Sequence, residues 1–65
     1  MSKVSIILPT YNGAERIHAA VMSVAVQSYQ AWELLVIDDG STDATKEIVD
    51  GFVKNDPRIR YLKNE

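Results

Sequence analysis

Two carboxylates stand side by side at Asp38 and Asp39, directly after the apolar run Leu34 to Ile37, in the stretch LLVIDDGSTDAT. Carboxylates next to a buried strand are costly unless they are solvated, paired or used on a ligand. An Asx-type turn ahead of a helix N-terminus would use one of the two. Earlier in the chain, Pro9-Thr10-Tyr11-Asn12 supplies an aromatic ring, and Glu15 follows closely. An aromatic face stacks on a planar base, whereas an ionised carboxylate only accepts hydrogen bonds. A ring N–H flanked by carbonyls, the pattern uracil presents, is complementary to one ring and one acid.

These residues need elements to bring them together. Lys3 to Leu8 is a short β-branched apolar run closed by Pro9, which reads as a strand over 3–9. A helix over 14–27 follows, with Asn12 as the expected N-cap and Glu15 reaching back to it. Its apolar stripe is Ile17, Ala20, Val21, Val24 and Ala25. The second strand, 33–38, carries the unbroken run Leu34 to Ile37, which predicts cover on both faces and a central place in a parallel sheet. A second helix over 42–54 is expected to be capped by Ser41 or Thr42, with Asp43 at its positive end. Its stripe is Ala44, Ile48, Val49, Phe52 and Val53; Gly51 weakens it, and Asn55-Asp56-Pro57 ends it. A third strand is expected over 59–63. The order β-α-β-α-β predicts right-handed crossovers and a three-stranded parallel sheet, a Rossmann-like α/β half-unit. In such sheets ligands bind beyond the carboxyl ends of the strands, which is where Tyr11 and Asp39 fall.

Composition narrows the classes. Sixty-five residues make one small domain, and a domain of about 60 residues buries only about 60% of the surface of its unfolded chain. Apolar content of 46% and charged content of 25% are ordinary for a folded soluble protein. Nine acids outnumber seven basic residues and give a net charge of −2, which argues against a nucleic-acid surface. There are no cysteines for disulfides or a thiolate metal site. The opening MSKVSIILPT is too short an apolar run for a signal peptide or a membrane span. Lack of both a signal peptide and cysteines suits the cytoplasm.

The two stretches VSIILPTYNGAERI and QSYQAWELLVIDDGSTDAT, one βα unit apart, resemble the start of the family 2 glycosyltransferases, inverting sugar-nucleotide enzymes of the GT-A fold. The resemblance covers nearly all 65 residues and rests on P-x-Y-N and on E-L-x-V-I-D-D-G-S-x-D in that order. It implies a nucleotide-binding half in which Tyr11 packs on the base and Asp39 bonds the ring N–H of uracil. Pro9 would lie at the pocket wall, with Asp38 and Glu15 close to the site. It also implies a donor such as a uridine-diphosphate sugar, and Mg²⁺ or Mn²⁺ held by a D-x-D motif. No D-x-D occurs in these residues, so the chain reads as the nucleotide-binding portion of a GT-A domain. Alone it is expected to be inactive and open to self-association. The whole protein would transfer a sugar to a saccharide, lipid or other acceptor in cell-envelope polysaccharide biosynthesis, and could be membrane-associated.

Other classes are weighed against this one. A receiver-like module would hold Mg²⁺ on its acidic pair, but needs a further Asp after the third strand, and YLKNE has none. A dinucleotide-binding Rossmann domain would want G-x-G-x-x-G after the first strand, where PTYNGAER has one glycine. A purely structural α/β piece would need neither. His18, the sole histidine, reads as solvated, Trp32 as a cover over the sheet edge or first helix, and Lys54, Arg58, Arg60 and Lys63 as a solvated face.

Overall fold

The computed structural model describes residues 3–27 and 30–64; Ser28 and Tyr29, inside the second quoted stretch, lie outside the described residues. Five elements follow in order: β1 (Val4–Thr10), α1 (Ala14–Ala25), β2 (Trp32–Asp38), α2 (Thr45–Asn55) and β3 (Ile59–Lys63). The strands are parallel, with β2 between β1 and β3 as its apolar run predicts. Thr10 pairs with Asp38, and Asp38 with Lys63, so the three carboxyl ends finish level with one another.

Alternation along β2 sets the core. Trp32, Leu34, Val36 and Asp38 are buried, while Glu33, Leu35 and Ile37 between them are half-buried. The buried apolar residues join Ile17 and Val21 of α1, Val49 of α2 and Ile59 of β3. Fully burying each such aliphatic side chain stabilises the fold by about 1.5–3 kcal/mol. The expected cover on both faces of β2 is therefore corrected. Two right-handed crossovers that step the same way along a sheet leave both helices on one side. The opposite face, with Ile7, Leu35, Ile37 and Leu62, has no described helix over it, and Ile7 and Leu62 are exposed.

Trp32 is buried in the core and lines a groove with Ser23 and Val24 of α1, in keeping with its expected place against the first helix. Two other side chains depart from expectation. Arg58 is no solvated cation: its guanidinium carbon lies 3.9 Å from the Trp32 ring centroid, and Nη2 donates to Asp56 at 2.8 Å. The stripe of α2 begins with buried Thr45, because Ala44 is exposed before the first turn. The remaining stripe positions of both helices, Ala20 excepted, belong to the core or pack against it, and exposed His18 lies with its ring centroid 5.3 Å from that of Phe52.

Candidate functional site

The carboxyl ends of β1 and β2 bring the two chemically marked stretches together. The Asp39 amide donates to the Thr10 carbonyl at 2.9 Å, so the chain leaves β2 tied to the end of β1. Tyr11 is the next residue on β1's side and is 63% exposed. Asp39 is exposed too; its Oδ1 accepts from Asn64 Nδ2 at 3.2 Å. Gly40 follows at φ +84°, a left-handed conformation that L side chains rarely adopt, which accounts for the glycine after the acid pair.

Asp38 points the other way. It is 1% exposed, and both of its oxygens are engaged. Oδ1 accepts from the Ser41 amide at 2.9 Å and from the Ser41 hydroxyl at 2.5 Å; Oδ2 accepts from the Tyr61 hydroxyl at 2.5 Å. Burial pushes the Asp38 carboxyl up, but the bonds from Ser41 and Tyr61, helped by the charge of Lys63, outweigh it and hold it below the ordinary carboxylate range. The same bond, followed by burial, pushes the Tyr61 phenol up to about 12. Of the adjacent acids, one is consumed by the interior and one is offered to solvent.

The loop carrying Tyr11 is built jointly by both stretches. Asn12 takes φ 48°, and its amide donates to the Ser41 hydroxyl at 2.7 Å. Its Oδ1 accepts from the Thr42 amide at 2.8 Å. A Cβ on Gly13 would come 2.7 Å from Thr10 Oγ1, so a side chain there would have to push the Thr10 hydroxyl aside. The expected capping box is corrected here: Gly13 is the N-cap of α1, and no side-chain cap bond forms from Asn12 or Glu15. Asp43, from the loop after β2, accepts from the Ala14 amide at 3.2 Å instead. Asp43 also takes the capping role expected of Ser41 or Thr42, since its Oδ1 accepts from the Thr45 amide at 3.0 Å and from the Thr45 hydroxyl.

Glu15 and Tyr11 line one cavity of about 320 Å³ with Asn12, Gly13, Arg16 and Asp43. Pro9 and Tyr11 line a second groove of about 250 Å³ beside β1. Pro9, Tyr11, Glu15 and Asp39 thus gather at one end of the sheet, and Asp38 stands beneath them. Tyr61, Ser41 and Asp43 were not singled out by sequence reasoning as partners of this region. For Tyr61 the available signal was its alternation with Ile59 on the core face of β3, opposite β2. Among the described residues no three or more His, Asp or Glu side chains converge as a metal site. With both Asp38 oxygens bonded, these residues do not fit the Mg²⁺ or Mn²⁺ that the resemblance implies. No described helix is long and apolar enough to cross a membrane.

Comparison with known proteins bears on the family and the fold. The family model described as glycosyl transferase family 2 matches residues 5–65. A UDP-Glc:alpha-D-GlcNAc-diphosphoundecaprenol beta-1,3-glucosyltransferase of Escherichia coli is 50% identical over 62 residues, 95% of this chain and 24% of that protein. A GalNAc(5)-diNAcBac-PP-undecaprenol beta-1,3-glucosyltransferase of Campylobacter jejuni is 38% identical over 65 residues, 100% of this chain and 21% of that protein. The crystal structure of S. aureus TarS 1-349 superposes with a TM-score of 0.86 at 35% identity, covering 98% of this chain and 19% of that one. The chain therefore spans about a fifth to a quarter of the length of these relatives. The β-α-β-α-β sheet and the family match over residues 5–65 agree: this chain belongs to glycosyl transferase family 2.

Proposed function

We propose that this chain grips the nucleotide of a sugar-nucleotide donor, uridine diphosphate in particular, for a glycosyl transfer performed by a longer protein. The observation that carries the reading is the placement of Tyr11 and Asp39. Both are exposed on adjacent parallel strand ends joined by the Asp39–Thr10 backbone bond. Tyr11 stacks on the uracil ring, and Asp39 accepts the ring N–H. Pro9 and Glu15 wall the flanking cavities. Asp38 serves this site from beneath, by holding the loop. Relatives named for glucosyl transfer to undecaprenol-diphosphate-linked sugars support a lipid-linked or saccharide acceptor; the reading extends to transfer with inversion, in the cytoplasm and beside a membrane where the acceptor is lipid-linked. A divalent ion would be held by residues other than those described, and the 65 residues alone bind donor without transferring its sugar.

Calorimetric titration with uridine and guanosine diphosphates tests this. Asp39→Asn presents an amide donor where uracil also offers one. Loss of a charged acceptor costs about 1.5–3 kcal/mol, roughly a tenfold to hundredfold weakening for uridine diphosphate. Tyr11→Ala is expected to cost about 1–3 kcal/mol through lost stacking. Unchanged uridine diphosphate affinity in Asp39→Asn would refute the assignment.

A further inference from the structure

We infer that Tyr61, Asp38 and Ser41 form a directed hydrogen-bond chain that sets the conformation of the Tyr11 loop, which makes Tyr61 and Ser41 positioning residues of the nucleotide site. The inference rests on the proposed nucleotide reading for its functional meaning, but the chain itself is geometric. An ionised Asp38 can only accept, so the Tyr61 and Ser41 hydroxyls must both donate to it. Ser41 has a single hydroxyl proton, spent on Asp38, and its lone pairs are left to accept. The Asn12 amide can only donate, and it does so to that oxygen at 2.7 Å. Every proton direction in the sequence Tyr61 to Asp38, Ser41 to Asp38 and Asn12 to Ser41 is thereby determined. The Thr42 amide closes the loop by donating to Asn12 Oδ1.

The consequence falls on Tyr11. A non-glycine residue at φ 48° is sparsely populated and persists where its surroundings hold it. Asn12 is held on both sides by Ser41 and Thr42, and it directly follows Tyr11, whose own ring is exposed. The ring that would stack on a base is thus oriented through its backbone neighbour. Asp39 is oriented through the same strand end that Asp38 anchors. Tyr61, on the core face of β3, adds a third strand to the control of a loop on the first. Lys46 Nζ lies 5.6 Å from the Tyr61 ring centroid and so bounds the phenol from the helix side.

The test has a readout independent of nucleotide. In wild-type protein, NMR should show a protected Asn12 amide and a coupling constant that reports its left-handed φ. Ser41→Ala, which removes both the donor to Asp38 and the acceptor of the Asn12 amide, should abolish that protection and move the Tyr11 and Asn12 resonances. Ser41→Thr, which keeps the hydroxyl, should restore them. Tyr61→Phe should perturb the Asn12 amide across two hydrogen bonds while circular dichroism stays that of the folded protein. In parallel, Ser41→Ala and Tyr61→Phe should each weaken uridine diphosphate about threefold to tenfold, less than the full loss of a bond to a charged group because the effect reaches the nucleotide only through the loop, with Ser41→Thr near wild type. An Asn12 amide unchanged in Ser41→Ala or in Tyr61→Phe overturns the positioning role. Unchanged nucleotide affinity in Tyr11→Ala, with the amide effects present, instead overturns the nucleotide reading and leaves the chain of bonds established.

Discussion

Tyr61 gives the interior beside Asp38 a pH signature of its own. Its phenol is pushed up to about 12 in the folded protein, against an ordinary value near 10. The folded state therefore holds this proton more tightly than the unfolded chain does. The stabilisation is complete below pH 10 and is lost as pH rises toward 12. Tyr61→Phe lacks it throughout. Urea midpoints of wild type and Tyr61→Phe should differ at pH 8 and converge between pH 10 and 12. Parallel curves across that window would remove Asp38 as the cause. On the acid side Asp38, Asp43 and Asp56 are all held below the ordinary range. Their contributions are present above the unfolded value and are lost as pH falls through the folded one.

The elements were legible in part, and the pattern of success is physical. Periodicity is local, so the stripe Ile17–Val21–Val24 and the run Leu34 to Ile37 announced a helix and a strand within two residues of their ends. Capping here is not local. Asp43 satisfies backbone donors at the starts of both helices, Thr45 of the helix it precedes and Ala14 of the other. A window around Asn12 sees only Asn12 and Glu15, which satisfy the capping-box pattern without forming it. Asp43→Ala should accordingly lower the melting temperature more than Thr42→Ala, whose side chain makes no described bond, and should expose the Ala14 and Thr45 amides to exchange together. Loss of protection at Thr45 alone would break the shared-cap account. Gly51 offers the opposite test. It sits inside α2, and a Cβ there would meet nothing within 4 Å. Gly51→Ala should stabilise the protein by about 0.5–1 kcal/mol through reduced freedom of the unfolded chain and better helix propensity. A destabilised variant in thermal or urea denaturation would show that the glycine serves some other need.

At the scale of the whole molecule, one face of the sheet decides how the chain behaves. An apolar run four residues long looks the same whether a strand is covered on one side or two, because only the arrangement of the crossovers determines which faces are covered. Sequence therefore placed β2 at the centre of the sheet but overstated its cover: Leu35 and Ile37 are half-buried, and their neighbours Ile7 and Leu62 are 55% and 52% exposed. The outer edge of β1 pairs with no described strand, so its backbone groups are open to another chain. Contiguous apolar surface next to an unpaired edge favours association. Each exposed aliphatic side chain that becomes buried gains about 25 cal/mol per Å² of apolar surface removed from water. The 65-residue protein should therefore show a sedimenting mass that rises with concentration. Ile7→Lys places a solvated charge in the middle of that face, opposite Leu35 and away from the Tyr11 and Asp39 strand ends. It should hold the protein monomeric at the same concentrations while leaving uridine diphosphate affinity at the wild-type value. Association that persists in Ile7→Lys and in Leu62→Glu would place the contact on the helical side, and a wild-type mass constant with concentration would show that this face tolerates water.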